Sequence, residues 1–184
     1  MQIRRFLLSG ILLLAFAALH AQQPAADILK EATQQATKEK KNVILIFHAS
    51  WCGWCHKMDT ALNDPSCKKF FDDNYVITHV TVQESAKHKD LENPGGDALM
   101  KQFNGEKQGL PYWVILDKKG ALLYDSQVRK EGAAPNSPGS NIGCPAQDDE
   151  IAYFISLLKK TSSLKDKQLA IIEERFKKIN PARR

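Results

Sequence analysis

Val43-Ile44-Leu45-Ile46-Phe47-His48-Ala49-Ser50-Trp51-Cys52-Gly53-Trp54-Cys55 is the stretch that decides how this chain folds. Its first five residues form an unbroken run of β-favouring apolar side chains, the pattern of a short strand buried on both faces. After the polar corner at His48 to Ser50 come two cysteines separated by two residues. Gly53 to Leu62 suits a helix, stopped by Asn63-Asp64-Pro65. A strand that delivers a C-x-x-C pair directly onto a helix start is the context in which such a pair reads as redox-active. At a helix N-terminus, unpaired N–H groups and the dipole favour negative charge. Such placement lowers a thiol pKa into a range of about 3.5–7.5. Cys52 is therefore the expected nucleophile, and Cys55, one turn on and largely buried, the thiol that resolves a mixed disulfide.

Outward from this segment the pattern alternates. Ile28, Leu29, Ala32 and Ala36 give Ala25 to Lys40 a helical stripe. Asp64-Pro65 reads as a second helix start, with Cys67, Phe70 and Phe71 on its apolar face. Tyr75 to Val82 is a strand, residues 83–94 a polar loop, and Gly95 to Phe103 a helix with Ala98, Leu99 and Phe103 inward. Pro111 opens a strand over Tyr112 to Leu116, Asp117 to Gly120 is a hairpin turn, and Ala121 to Tyr124 returns. The fold class is α/β: a mixed central sheet of four to five strands flanked by helices. Ser126 to Gln147 is rich in Gly and Pro and reads as a long loop within the domain of residues 25–160. Ile151, Phe154, Ile155 and Leu158 mark an amphipathic helix. Ser163 with Asp166 starts a C-terminal helical extension over 163–180, whose stripe is Leu169, Ile172, Phe176 and Ile179.

Residues 1–21 stand apart. Arg4 and Arg5 precede an apolar run from Phe6 to Ala18, and Leu19-His20-Ala21 offers a small residue before polar Gln22. This is the form of a cleavable secretory signal peptide, too short for a comfortable membrane span. It implies an exported protein, periplasmic or extracellular, touching the membrane only through that peptide before cleavage. The chain of 184 residues carries a net charge of +5. Its basic residues are interspersed with acids, without the stripe that nucleic-acid binding requires. An oxidising compartment favours disulfides, so the leftover cysteines, Cys67 and Cys144, are expected to pair as a structural bridge. The other outcome is that Cys67 fills the core and Cys144 remains a loop thiol.

Phe47 to Cys55 resembles the active-site segment of the thioredoxin superfamily, closest to exported bacterial thioredoxin-like proteins with a Trp-Cys-Gly-Trp-Cys site. Gly109-Leu110-Pro111 resembles the cis-proline loop of that family, which faces the disulfide and binds substrate backbone, and Tyr112 to Tyr124 resembles the hairpin after it. The resemblance implies the thioredoxin fold and thiol–disulfide oxidoreductase activity without a cofactor. It assigns catalysis to Cys52 and Cys55. Trp51, Gly53, Trp54, Leu110 and Pro111 would contact client proteins that carry thiols or disulfides, and a separate redox partner would reset the pair. Two features depart from thioredoxin itself: Ile46 replaces the buried acid six residues before the first cysteine, and Trp54 replaces the proline between the cysteines.

Rival chemistries use the same letters. His56 completes Cys-x-x-Cys-His, the c-type haem attachment signature, with Met58 or Met100 as a second axial ligand. That chemistry does not call for the preceding strand or the Pro-led hairpin. A structural zinc site usually needs four ligands, often as two paired clusters, and this chain has one C-x-x-C. His48, at the strand end, could tune the thiolate. Trp51 and Trp54 are expected at the surface and Trp113 in the core. The main functional alternative is a non-catalytic thioredoxin-fold interaction module.

Overall fold

The apolar run forms strand β1 (Asn42–His48), the central member of a four-stranded sheet. A computed structural model describes residues 22–134 and 137–180, so the expected signal peptide at 1–21 lies outside the described residues. Helix α1 (Ala25–Glu39) precedes β1, and helix α2 (Gly53–Leu62) follows it. Next come α3 (Lys68–Asn74), β2 (Tyr75–Thr81), a 3-10 turn over Ala86–Leu91, α4 (Gly96–Gln102), β3 (Tyr112–Leu116) and β4 (Leu122–Asp125). β1 pairs parallel with β2 and antiparallel with β3, and β4 closes the order β2-β1-β3-β4. This is a mixed sheet in the thioredoxin fold.

Strand side chains alternate between faces, so β1 feeds two cores. Ile44 and Ile46 join Met58, Phe71, Trp113 and Phe154 on the side of α2 and α3. Val43, Leu45 and Phe47 join Ala32, Ala36, Leu99 and Met100 on the side of α1 and α4. Each fully buried side chain of this size contributes about 1.5–3 kcal/mol relative to exposure, which is why a run with no polar member becomes the central strand.

Several local expectations need correction. α3 starts at Lys68, not Pro65: Asp64 caps a turn over residues 65–67 that leads into it, its carboxylate accepting from the Ser66 N–H and O–H and pairing with Arg175, and its carbonyl accepting from the Cys67 and Lys68 N–H groups. On α4 the inward residues are Leu99 and Met100, with Phe103 just beyond; Ala98 is exposed. Residues 83–94 include the 3-10 turn. Ser163 caps nothing; its N–H and Oγ bond the Asn74 side chain.

The described residues of the 126–147 segment, 126–134 and 137–147, form an excursion with structure of its own. Two short strands, β5 (Gln127–Val128) and β6 (Ser140–Asn141), pair antiparallel within it. Its anchor is polar. Asp125, 3% exposed, takes a bidentate ion pair from Arg129 at 2.7 and 2.6 Å. Gln127, 1% exposed, donates to the Asn104 carbonyl and the Tyr112 hydroxyl and accepts from the Gly139 N–H.

Helix α5 (Asp148–Thr161) then lies against the sheet, and α6 (Asp166–Lys177) packs on α5. Leu169, Ile172, Phe176 and Ile179 enter the same core as Trp113 and Phe154. The sequence stripe left open what this helix covers; it covers the domain's own core.

Candidate active site

The chain turns at the end of β1 and enters α2 on Cys52. The Cys52 N–H bonds the Ala49 carbonyl at 3.0 Å, and the Cys52 carbonyl accepts from His56 N–H at 3.2 Å. Cys52 is the N-cap residue: its sulfur accepts from the Cys55 N–H at 3.2 Å. One turn apart on the same face, the two cysteines form a disulfide with Cα atoms 5.3 Å apart. In this oxidised form neither sulfur is open to solvent. Cys52 is 3% and Cys55 1% exposed, packed with Ala49 under Leu110. The exposed groups are Trp51 and Trp54, at 59% and 46%.

The corner before the pair is held from the end of β2. The Glu84 carboxylate accepts from both the N–H and the hydroxyl of Ser50, and the Trp51 indole N–H donates to the Gln83 carbonyl at 2.9 Å. Burial would raise the Glu84 carboxyl, but the two Ser50 hydrogen bonds outweigh it and hold the group below its ordinary value. Glu84 was not legible as a site residue, since an isolated acid in a polar loop carries no periodic or motif signal.

The histidines sort differently from the haem alternative. His56 Nε2–H donates to the Ser50 carbonyl at 2.9 Å. Met58 lies in the core beneath α2, and Met100 in the core on the opposite face of the sheet. The ring of His48 is 5.0 Å from that of His79, and its Nε2 is 3.2 Å from the Thr81 hydroxyl. Burial, then the neighbouring His79, pushes the His48 pKa down. His79 in turn bonds Asp59 of α2 at 2.8 Å.

Opposite the disulfide lies the Gly109–Pro111 loop. The Leu110–Pro111 peptide bond is cis. Pro111 is buried, Leu110 packs on the cysteine pair, and Gly109 is exposed. Between Trp54, Leu110, Asn141, Cys144 and Glu150 runs a groove of about 450 Å³. The excursion therefore builds one wall of the space beside the disulfide, which its composition did not announce.

Cys67 and Cys144 are free thiols, and the expected bridge between them is absent. Both are turned into the core: Cys67 donates to the Ala61 carbonyl at 3.1 Å, and Cys144 is 5% exposed. Burial pushes the Cys67 thiol up, with Asp64 adding to it, and pushes Cys144 up to about 12. A buried neutral thiol is a small hydrophobe and resists oxidation. With the Cys52–Cys55 disulfide intact, the folded protein should take up no iodoacetamide at pH 8 over minutes, and two equivalents in denaturant. Mass spectrometry showing a labelled native chain, or no label after unfolding, would contradict this assignment.

The family described as Thioredoxin-like matches residues 25–118. No curated protein matches the chain. Among solved structures, it is similar to a disulphide isomerase from Xylella fastidiosa Temecula1, at 20% identity over 55% of this chain and 72% of that one, TM-score 0.45. It is also similar to the C-terminal domain of Neisseria meningitidis DsbD in the oxidised form, at 19% identity over 77% and 99%, TM-score 0.44. A thioredoxin from Thermus thermophilus aligns at 23% identity over 76% and 86%, TM-score 0.43.

Proposed function

The chain belongs to the thioredoxin-like family, and from that premise we propose that it is an exported thiol–disulfide oxidoreductase acting on client proteins through Cys52 and Cys55. One observation carries this reading: the two cysteines are bonded at the first turn of α2, between two exposed tryptophans and beneath the Leu110–Pro111 loop. In the reducing direction the Cys52 thiolate attacks one sulfur of a client disulfide. A Cys52–client disulfide forms and one client thiolate leaves. Cys55, once deprotonated, attacks the Cys52 sulfur and expels the second client thiolate. The client gains two electrons, and the protein returns to its Cys52–Cys55 disulfide. The reverse sequence oxidises a client dithiol, and the potential of the pair relative to its compartment sets the direction. A second thiol–disulfide partner then restores the starting state.

Trp51, Gly53 and Trp54 supply the surface around the attacking sulfur, and Leu110 and Pro111 the backbone against which a client lies. Export is supported by the basic, apolar and small-residue pattern of residues 1–21. No helix among the described residues is long and apolar enough to cross a membrane. The domain runs from Ala25 through α6, with the 126–147 excursion within it.

Expression of the full chain in a bacterium with an oxidising periplasm tests both parts. The expected product is a periplasmic chain beginning at Gln22 that catalyses insulin disulfide reduction with a small dithiol as electron donor. A chain retained with residues 1–21 would refute export. Absence of turnover across a range of redox poises would favour the non-catalytic interaction module.

A further inference from the structure

The carbonyls of Gly109 and Pro111 stand on either side of Leu110, and one side chain holds both. Asn141 Nδ2 donates to the Gly109 carbonyl at 2.7 Å and to the Pro111 carbonyl at 3.2 Å. Its Oδ1 accepts from the Gly143 N–H at 3.0 Å, so every polar function of the amide is used. Asn141 belongs to β6, opposite Gln127 of β5. The excursion is braced behind it. Gln127 takes the Gly139 N–H and the Gln108 amide, the Gly143 carbonyl accepts from the Trp113 indole at 2.8 Å, and Arg129 pairs with buried Asp125. No described residue bonds the N–H or carbonyl of Leu110 itself.

We propose that Asn141 is a positioning residue for client binding: it ties the 126–147 excursion to the Gly109–Pro111 loop and holds that loop ready for an extended polypeptide. The proposal rests on the oxidoreductase reading and adds a substrate distinction to it. A protein or peptide disulfide must lay its backbone along this loop, and its binding depends on the loop's shape. A small aromatic disulfide needs only to reach the Cys52 sulfur. Asn141 has no part in the exchange of thiols.

Two substitutions separate the roles. Asn141→Asp keeps the acceptor for Gly143 but turns an oxygen toward two carbonyl oxygens. Asn141→Ala removes both functions without adding charge. The expected result in each is a KM for insulin or a disulfide peptide raised about five- to tenfold, the range for losing a hydrogen bond or two, with kcat within twofold. The rate with a small aromatic disulfide and the reduction potential of the Cys52–Cys55 pair should match the wild type. Equal losses on both substrates, or a shifted potential, would show that Asn141 acts on the thiols or on the fold. An unchanged KM would show that the loop does not need it. Amide exchange at Gly143 tests the geometry without turnover: it should speed up in Asn141→Ala and stay protected in Asn141→Asp, and equal protection in both overturns the clamp. Wild-type protein inactive on both substrates would instead refute the underlying oxidoreductase reading.

Discussion

Replacing Cys52 by serine is expected to lower insulin disulfide turnover by about a thousandfold or more, as removal of an attacking nucleophile does, with the fold intact. The assignment of Cys52 as attacker follows from the helix start. Both cysteines are almost fully covered in the oxidised form, so exposure alone does not distinguish them. The direction of the backbone does: the Cys55 N–H points at the Cys52 sulfur. That donor and the N-terminal end of α2 both stabilise a negative charge on Cys52. Cys55 sits inside the first turn, where its own sulfur receives no such bond among the described residues. Serine is close in size to cysteine but forms neither a thiolate near neutral pH nor a disulfide. Cys55→Ser should behave differently. It keeps the attacker, loses the resolving thiol, and should accumulate a covalent Cys52–client disulfide, visible as a shifted band on a non-reducing gel. Retention of a tenth of the activity in Cys52→Ser, or client linked through Cys55, would reverse the assignment.

Phe154→Ala is expected to cost about 3–5 kcal/mol of stability, the usual range for truncating a buried aromatic. Phe154 is fully buried where the sheet meets the two C-terminal helices. Its ring lies 5.3 Å from Trp113 of β3 in an edge arrangement, 5.1 Å from Phe176 of α6 and 6.4 Å from Phe71 of α3. Four elements therefore share one contact, and a methyl group in its place leaves a cavity bounded by rings that cannot all close on it. Urea denaturation should show a single transition with a lowered midpoint. Ending the chain after Ser162 should be at least as damaging, because it removes Leu169, Ile172, Phe176 and Ile179 from the same core. A truncated chain with an unchanged midpoint would mean that α6 is an appendage rather than part of the domain.

The strands, the helices around them and the cysteine pair are legible in the sequence for one physical reason: each depends on neighbours in the chain, whereas the order β2-β1-β3-β4 joins residues as far apart as Val43 and Leu116. Val43 to Phe47 is a short run of β-favouring apolar residues, the pattern of a strand buried on both faces. Cys52-Gly53-Trp54-Cys55 meets a helix start immediately after it, and Asp117 to Gly120 must turn. The helix at Gly53–Leu62 and the strand at Tyr112–Leu116 take the expected boundaries. What the linear pattern missed depends on partners far along the chain. Asp64 caps the turn before α3, and its carboxylate also pairs with Arg175, 111 positions away, a partner the linear pattern does not show. Cys67 and Cys144 share a hydrophobic core as separate thiols, although compartment and cysteine count favoured a bridge; which side chains meet in the core is not encoded in their spacing. The excursion at 126–147 has too few apolar residues for any period. Its described residues are held by Asp125, Gln127, Arg129 and Asn141, whose hydrogen bonds exist only once β3, the Gly109–Pro111 loop and α5 stand around them. Apolar periodicity reports which face of an element is buried, and the sequence by itself determined the strands, the helices and the cysteine pair. A polar anchor has no period, and its bonds form only after folding has removed the water that would otherwise satisfy those groups, so only the tertiary structure decided how the groove beside the disulfide is built.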